Sequence, residues 1–252
     1  MTQDSSLNVG ERDFALSGWF ARDTNEVFEG LPVTSDDTVL DVGCGGGGIA
    51  GFCASQGAAI IVTDSDPEKV SAVERSLVGS AARSVQALVS DSNPLPLPDG
   101  AASIIVSTEV LEHVDDPQAF LAELFRVGRP GARYLLAVPD PVGETLQKSL
   151  APPSYFEKPN HVRIIGRDEF ATMVEGAGLV IEKRASYGFY WTLWWLMFWA
   201  SKVVDLNDPS DPVLDSWAQT WAALLDTADG PRVKEILDSF MPKSQVIIAR
   251  KP

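Results

Sequence analysis

The chain has 252 residues, 35 Asp+Glu against 20 Lys+Arg, and a formal net charge of −15. That length suits one large domain or one domain with an insert, and 45% hydrophobic against 22% charged residues excludes global disorder. The acid excess excludes a non-specific nucleic-acid binder, which needs a basic stripe for phosphates, and recruitment to anionic lipid by charge alone.

Cys44 and Cys53 are too few for a disulfide framework and form no Cys-x-x-Cys pair. Met1 to Arg12 is polar and lacks the basic-then-apolar pattern of a signal peptide. A reducing, cytoplasmic setting is expected.

Residues 11–30, with Phe14, Leu16, Trp19, Phe20, Val27 and Phe28, predict a helix ended by Pro32. The apolar run 39–42 predicts a buried strand entering a glycine turn, followed by a helix over 49–55. A strand over 58–63 and a helix over 67–77 follow, with Pro67 suited to the first helical turn. Further strands are expected at 85–89 and 101–107, a helix at 117–127 and a strand at 133–138. Residues 139–160, with Pro139, Pro141, Pro152 and Pro153, read as a long loop. A helix over 167–176 and strands over 179–185 and 245–250 complete the alternation. Strands alternating with helices predict a right-handed, mostly parallel sheet covered on both faces.

The first of these strands, Val39-Leu40-Asp41-Val42, runs into Gly43-Cys44-Gly45-Gly46-Gly47-Gly48. Glycine is needed where the backbone turns sharply and approaches a ligand closely. The second strand leads to Asp64, a carboxylate able to accept both hydroxyls of a ribose. Gly43, Gly45 and Gly48 satisfy the dinucleotide pattern Gly-x-Gly-x-x-Gly. Asp41, Gly43, Gly45 and Gly47 equally satisfy Asp-x-Gly-x-Gly-x-Gly, so the turn alone leaves the nucleoside open.

The second pattern resembles motif I of class I S-adenosylmethionine-dependent methyltransferases. Val62-Thr63-Asp64-Ser65-Asp66-Pro67-Glu68 resembles that family's second motif, and Ser90-Asp91-Ser92 before Leu95-Pro96-Leu97-Pro98-Asp99-Gly100 its third. Ser107-Thr108-Glu109-Val110-Leu111-Glu112-His113-Val114 resembles its motif after the fourth strand, and Arg126-Val127-Gly128-Arg129-Pro130-Gly131 its turn before the fifth. The resemblance covers residues 35–182 and is nearest to the ubiquinone and menaquinone methyltransferases. Two departures stand out: Ser103 where the family has an acid, and Ala132 in place of a second glycine.

The resemblance implies S-adenosyl-L-methionine as cofactor, held by Asp41, Gly43, Cys44, Gly45, Asp64, Ser65, Asp91, Ser92 and Thr108. Asp64 would hold the ribose, Ser65 would lie against adenine, and Asp91 would face the adenine amino group. An oxygen acceptor must also lose a proton, to a base or with a metal's help. His113 and His161 are the chain's two histidines and both fall near the sheet's expected ligand edge. With Tyr155 they are the catalytic candidates. Glu109, Glu112, His113 and His161 make a mixed oxygen/nitrogen set suited to Mg, Mn or Zn. They resemble the Glu-x-x-Glu-His…His metal site of small-RNA 2′-O-methyltransferases and ubiquinone-pathway O-methyltransferases.

Residues 185–201 carry no charge and eight aromatic side chains, with Trp191, Trp194, Trp195, Phe198 and Trp199 at helical spacing. Lys183, Arg184 and Lys202 bracket the segment. Seventeen residues is short for a bilayer span, so a buried cap helix, a greasy acceptor pocket or a membrane-surface contact is expected rather than a transmembrane segment. The stretch 205–240 has eight acids and reads as a solvated helical cap.

The expected whole is a Rossmann-like, doubly wound seven-stranded sheet, mostly parallel with an antiparallel last strand, plus a helical cap. Residues 1–34 form an N-terminal helical segment, 35–186 and 241–252 the cofactor-binding core, and 187–240 the cap. The expected activity is methyl transfer to a small-molecule acceptor, lipid-like or saccharide, at a hydroxyl oxygen. The alternatives are an NAD(P)-dependent oxidoreductase and a non-catalytic cofactor-binding module.

Overall fold

The computed structural model describes residues 8–201 and 211–252. Lys202 and Asp205, which figured in the bracketing and acidic patterns above, lie outside the described residues, as do residues 1–7 of the N-terminal segment.

The chain opens with α1 (Val9–Leu16), followed by three short strands: β1 (Trp19–Ala21), β2 (Glu26–Phe28) and β3 (Leu31–Pro32). Then come β4 (Thr38–Val42), α2 (Gly48–Ser55), β5 (Ala59–Asp64), α3 (Pro67–Ser76) and β6 (Ser84–Val89). Next are β7 (Ala102–Thr108), α4 (Pro117–Val127), β8 (Gly128–Pro139), α5 (Pro141–Gln147), a 3-10 turn (Pro153–Phe156) and α6 (Arg167–Gly176). The last elements are β9 (Val180–Tyr187), α7 (Phe189–Ser201), α8 (Pro212–Leu225), α9 (Gly230–Phe240) and β10 (Ser244–Arg250).

Seven strands form one sheet in the order β6-β5-β4-β7-β8-β10-β9. The first five run parallel, and β10 is antiparallel to both β8 and β9. This is the Rossmann-like sheet expected from the sequence, antiparallel last strand included. The central strands β4, β5 and β7 are buried almost throughout, as parallel strands covered on both faces must be. Their side chains alternate between two cores. Val39, Ile60, Val62, Ile104 and Val106 face one, while Leu40, Val42, Ile61 and Ile105 face the other. A third cluster, built on Phe189, Tyr190, Trp221 and Leu225, is the core of the cap.

Among the described residues, four helices open on the same dipeptide. Asp66, Asp116, Asp140 and Asp211 each accept backbone N–H bonds of the first turn, and the next residue is Pro at the first helical position. The aspartate satisfies otherwise orphaned donors, worth about 1 kcal/mol each, and proline loses nothing where its missing N–H would be unpaired anyway.

The structure corrects three expectations. The helix predicted over 11–30 ends at Leu16, because the chain next passes through left-handed conformations at Gly18 (φ 92°), Asn25 (φ 59°) and Gly30 (φ 91°). Its later members form β1–β3, and Trp19, Val27 and Phe28 join the core of the main sheet. The predicted loop 139–160 contains α5 and a 3-10 turn, started by the Asp140-Pro141 pair. The stretch read as solvated also hides a buried ion cluster: Lys234, 2% exposed, binds Ser17 Oγ at 2.7 Å and pairs with Asp13 and Asp238. Trp221 Nε1 donates to Asp13 at 2.9 Å, and Asp238 Oδ1 accepts from Gly188 N and Phe189 N at the start of α7.

Candidate active site at the carboxyl edge of the sheet

The parallel strands β4, β5, β6, β7 and β8 all end on one edge, and the antiparallel arrangement brings the start of β10 and the end of β9 to that same edge. The chain winds outward from β4 to β6, then restarts on the other side of β4 with β7. Ligands of doubly wound sheets bind at this reversal.

On the β4 side lies the glycine turn. Gly43 N and Cys44 N donate to Thr63 O at 2.8 and 2.9 Å, which ties the turn to β5. Gly43 has φ 74°, and a Cβ there would come within 2.3 Å of Val110 Cγ2, so only glycine fits. Gly47 is also left-handed (φ 77°), and a Cβ would strike Val73. Over Gly46 and Gly48 a Cβ would meet nothing within 4 Å, so the backbone there is open to a ligand. Asp64 Oδ2 accepts from Gly45 N at 3.1 Å and Oδ1 from Asp66 N at 3.0 Å, holding the carboxylate over the turn.

Asp41 lies beneath the turn, 2% exposed, with Oδ2 unpartnered. Burial pushes its carboxyl up to about 7, opposed by a hydrogen bond from the Ala50 backbone and reinforced by the charge of Asp64. An orphaned acid oxygen beneath a turn whose Gly46 and Gly48 backbone is uncovered fits a ligand that carries a cationic donor. S-adenosylmethionine, with its amino acid end, has that chemistry.

The remaining cofactor candidates follow along the edge. Cys44 is buried in the turn and Ser65 is exposed beside Asp64. Asp91 is exposed after β6 and takes a bond from Asn93 N at 3.1 Å, while Ser92 is buried with φ 64°. Thr108 is half-buried at the end of β7. Ser103, the departure noted above, donates to Asp37 Oδ1 at 2.8 Å and accepts from Thr38 N at 3.0 Å. It joins the starts of β4 and β7 far from this edge.

Across the reversal the structure gathers the acceptor-side candidates. The rings of His113 and His161 lie 4.9 Å apart, edge to face, and Tyr155 is 4.6 Å from His161. Val162 N donates to Glu112 O at 3.0 Å, which joins the segment after the 3-10 turn to the one after β7. His113 Nδ1 donates to Pro159 O at 3.0 Å, since a carbonyl can only accept. Burial, then the neighbouring His161, lowers the His113 pKa. Glu112 is 1% exposed and both its carboxylate oxygens lack a hydrogen bond. Burial, followed by the charge of Glu109, raises its pKa well above its ordinary value. Burial also raises the Tyr155 phenol above its ordinary value.

The four proposed metal ligands do not all converge. Glu112, His113 and His161 bring ligand atoms within 4.8 Å of one another. Glu109, at φ 56°, is instead bound by Lys243 Nζ and accepts from Ser244 Oγ at 2.8 Å. An ammonium at that carboxylate opposes a second cation.

Several site residues were not foreseen. Lys243, just before β10, and Ser244, its first residue, enter the edge. Glu144 and Gln147 project from α5, 1% and 0% exposed. Their three-residue spacing after Asp140-Pro141 is a helical signal that the prolines of the region obscured. Trp199 and Trp195 of α7 reach Tyr155, with ring centres at 5.0 and 6.3 Å. α7 itself is 13 residues long, and no described helix is long and apolar enough to cross a membrane.

Residues 40–136 match the family described as a methyltransferase domain. A protein of Mycolicibacterium smegmatis named a probable S-adenosylmethionine-dependent methyltransferase is 32% identical over 146 residues, 57% of this chain and 52% of that protein. One of the same description from Mycobacterium tuberculosis is 28% identical over 176 residues, 68% of this chain and 61% of its own length. The chain thus spans between half and two thirds of these curated relatives. The structure of an S-adenosylmethionine-dependent methyltransferase from Mesorhizobium loti superposes with a TM-score of 0.58 at 16% identity, covering 88% of this chain and 94% of that one. The [4+2]-cyclase SpnF, at a TM-score of 0.55, 18% identity and coverage of 86% and 74%, has the same fold. Together, the glycine turn with its two acids, the reversal of the sheet and these matches make residues 40–136 similar to a methyltransferase domain, on the fold that S-adenosylmethionine-dependent methyltransferases share.

Proposed function

We propose that the chain transfers a methyl group from S-adenosyl-L-methionine to a hydroxyl oxygen of a small, partly apolar acceptor. The observation that carries this reading is the pairing, across one reversal, of the open glycine turn over Asp41 and Asp64 with a ring cluster that holds two imidazoles. When bound, the cofactor supplies a methyl already activated by a cationic sulfur: the acceptor oxygen forms the new C–O bond, the C–S electron pair returns to sulfur, and one proton is left over. Asp64 would take the ribose hydroxyls, Asp91 and Ser65 the adenine, and Asp41 the amino group. The chain's task on the other side is to align the acceptor, exclude water and remove that proton.

Tyr155, Trp195 and Trp199 offer ring faces to an apolar acceptor body, which suits the finer resemblance to quinone-pathway enzymes. His161 is the base. Cys44 and Cys53 are both free, which suits a cytoplasmic setting.

A second reading rests on the gathering of Glu112, His113 and His161, which offers three ligands to a divalent ion that would acidify the hydroxyl instead. One experiment addresses both. Labelled methyl transfer into a pool of small hydroxylated and amino compounds, with mass identification of the product, should yield a methyl ether and persist in EDTA. Loss of transfer in EDTA with recovery in Mg, Mn or Zn would favour the metal. An N-methyl product would overturn the hydroxyl assignment. Stabilisation by NAD and not by S-adenosylhomocysteine would overturn the cofactor.

A further inference from the structure

A chain of hydrogen bonds runs from the cap helix to His161. Trp199 Nε1 donates to Gln147 Oε1 at 3.1 Å. Gln147 Nε2 donates to Glu144 Oε1 at 3.2 Å, and Glu144 Oε2 meets His161 Nδ1 at 2.7 Å. Its polarity follows from one end. An indole N–H can only donate, so the Gln147 atom it meets is the amide oxygen. The Gln147 amide nitrogen then faces Glu144 and donates to it. Glu144 is left as an acceptor on both oxygens, and His161 must present Nδ1–H to it. The lone pair of the imidazole is therefore on Nε2, the nitrogen away from Glu144.

We infer that Glu144 is a positioning residue for His161, its carboxylate holding Nδ1–H so that Nε2 is the proton acceptor, while Gln147, oriented by Trp199, donates to the other carboxylate oxygen. The inference rests on the reading of His161 as the base for a hydroxyl acceptor. The proton leaves the acceptor O–H for Nε2, and the electron pair it leaves behind is the one that forms the new C–O bond. The carboxylate on Nδ1 holds the ring orientation and stabilises the imidazolium so formed. Glu144 and Gln147 are fully buried, and a carboxylate is a costly group to bury unless a charged or polar partner compensates it. The partners here are the imidazole and the Gln147 amide. Trp199 belongs to α7, and Tyr155 contacts both its ring and His161, so the cap packs directly against the base.

The test is nitrogen-15 NMR of the full chain saturated with S-adenosylhomocysteine, read through two-bond couplings of the imidazole protons. The chain has two histidines, and H161Q assigns the signals. Wild type should show His161 protonated on Nδ1 and bare on Nε2. In E144Q the Gln147 amide still donates to the new amide oxygen, so its nitrogen faces His161 and should drive the proton to Nε2. W199F, which frees Gln147 to turn over but leaves the Glu144 carboxylate in place, should keep His161 protonated on Nδ1, a result that can be read even if E144Q fails to fold. With the acceptor found by label transfer, E144Q should lower kcat on the order of 10²–10⁴-fold and leave KM for S-adenosylmethionine unchanged. A wild-type or W199F His161 protonated on Nε2, or one tautomer common to wild type and E144Q, would overturn the inference. Calorimetry with S-adenosylhomocysteine separates the two levels: failure of wild type to bind it defeats the functional reading, whereas normal binding with the wrong tautomer defeats only this one.

Discussion

Asp41 is the residue at which stability and binding oppose each other most plainly. Its buried, half-unpaired carboxyl ionises only at about 7. A carboxyl whose folded pKa lies above its unfolded value of 3.8 binds more protons folded than unfolded in between. Its contribution is therefore fully present below about pH 4 and is lost as pH rises through about 7. Asp13, raised to about 6, acts in the same direction. Two outcomes are expected. D41N should be more stable than wild type at pH 8, by about 1–3 kcal/mol, with a smaller gain at pH 6, checked by thermal melts of the ligand-free chain. Wild type should bind S-adenosylhomocysteine more weakly at pH 6 than at pH 8, because a neutral Asp41 attracts an ammonium less. A D41N variant with undiminished binding would remove Asp41 from the site.

Asp64 and the glycines were legible in the sequence because their roles depend on chain order: strand, turn, helix, strand, acid. Glu144 was not, because its partner His161 is 17 residues away and the two meet only when α5 and the 3-10 turn fold back. Glu109 was misjudged for a related reason. Its spacing to Glu112 and His113 suggested a ligand set, but Lys243 reaches it from 134 residues further on and takes the carboxylate.

At the level of elements, the strands and helices of the core follow from local pattern and capping, and the Asp-Pro starts explain why boundaries such as Pro67, Pro117 and Pro141 are sharp. The false helix over 11–30 shows where periodicity fails. Aromatic residues at plausible spacing sat on strands β1 and β2, and positive φ angles at Gly18 and Asn25 decided against the helix. The cap was legible as apolar and helical, but its polar pin was not. Lys234 holds α9 to Asp13 of α1, while its partner Asp238 caps the start of α7. Removing the ammonium leaves two buried carboxyls facing each other. K234M should destabilise the chain by about 3–5 kcal/mol in urea unfolding and loosen α7, seen as a rise in tryptophan emission at longer wavelength. A loss under 1 kcal/mol would show that the cluster is not what anchors the cap.

For the whole molecule, the sheet's winding divides one edge in two. Loops after β4, β5 and β6 carry the glycine turn and its acids, and the segments after β7 and β8 and before β10 carry the imidazoles and the carboxylates that order them. The charge of −15 read first as an exclusion, and part of it now has places: Asp64 over the turn, Glu144 against His161 and Glu109 against Lys243. The central claim is that the turn binds S-adenosylmethionine through Asp64. It is tested most directly by titrating S-adenosylhomocysteine into wild type and D64A in a calorimeter. The account predicts saturable one-to-one binding to wild type and at least a hundredfold loss in D64A, since each hydrogen bond to a charged group contributes about 1.5–3 kcal/mol. Equal affinity of the two proteins, or no binding to either beside clear binding of NAD, would contradict it.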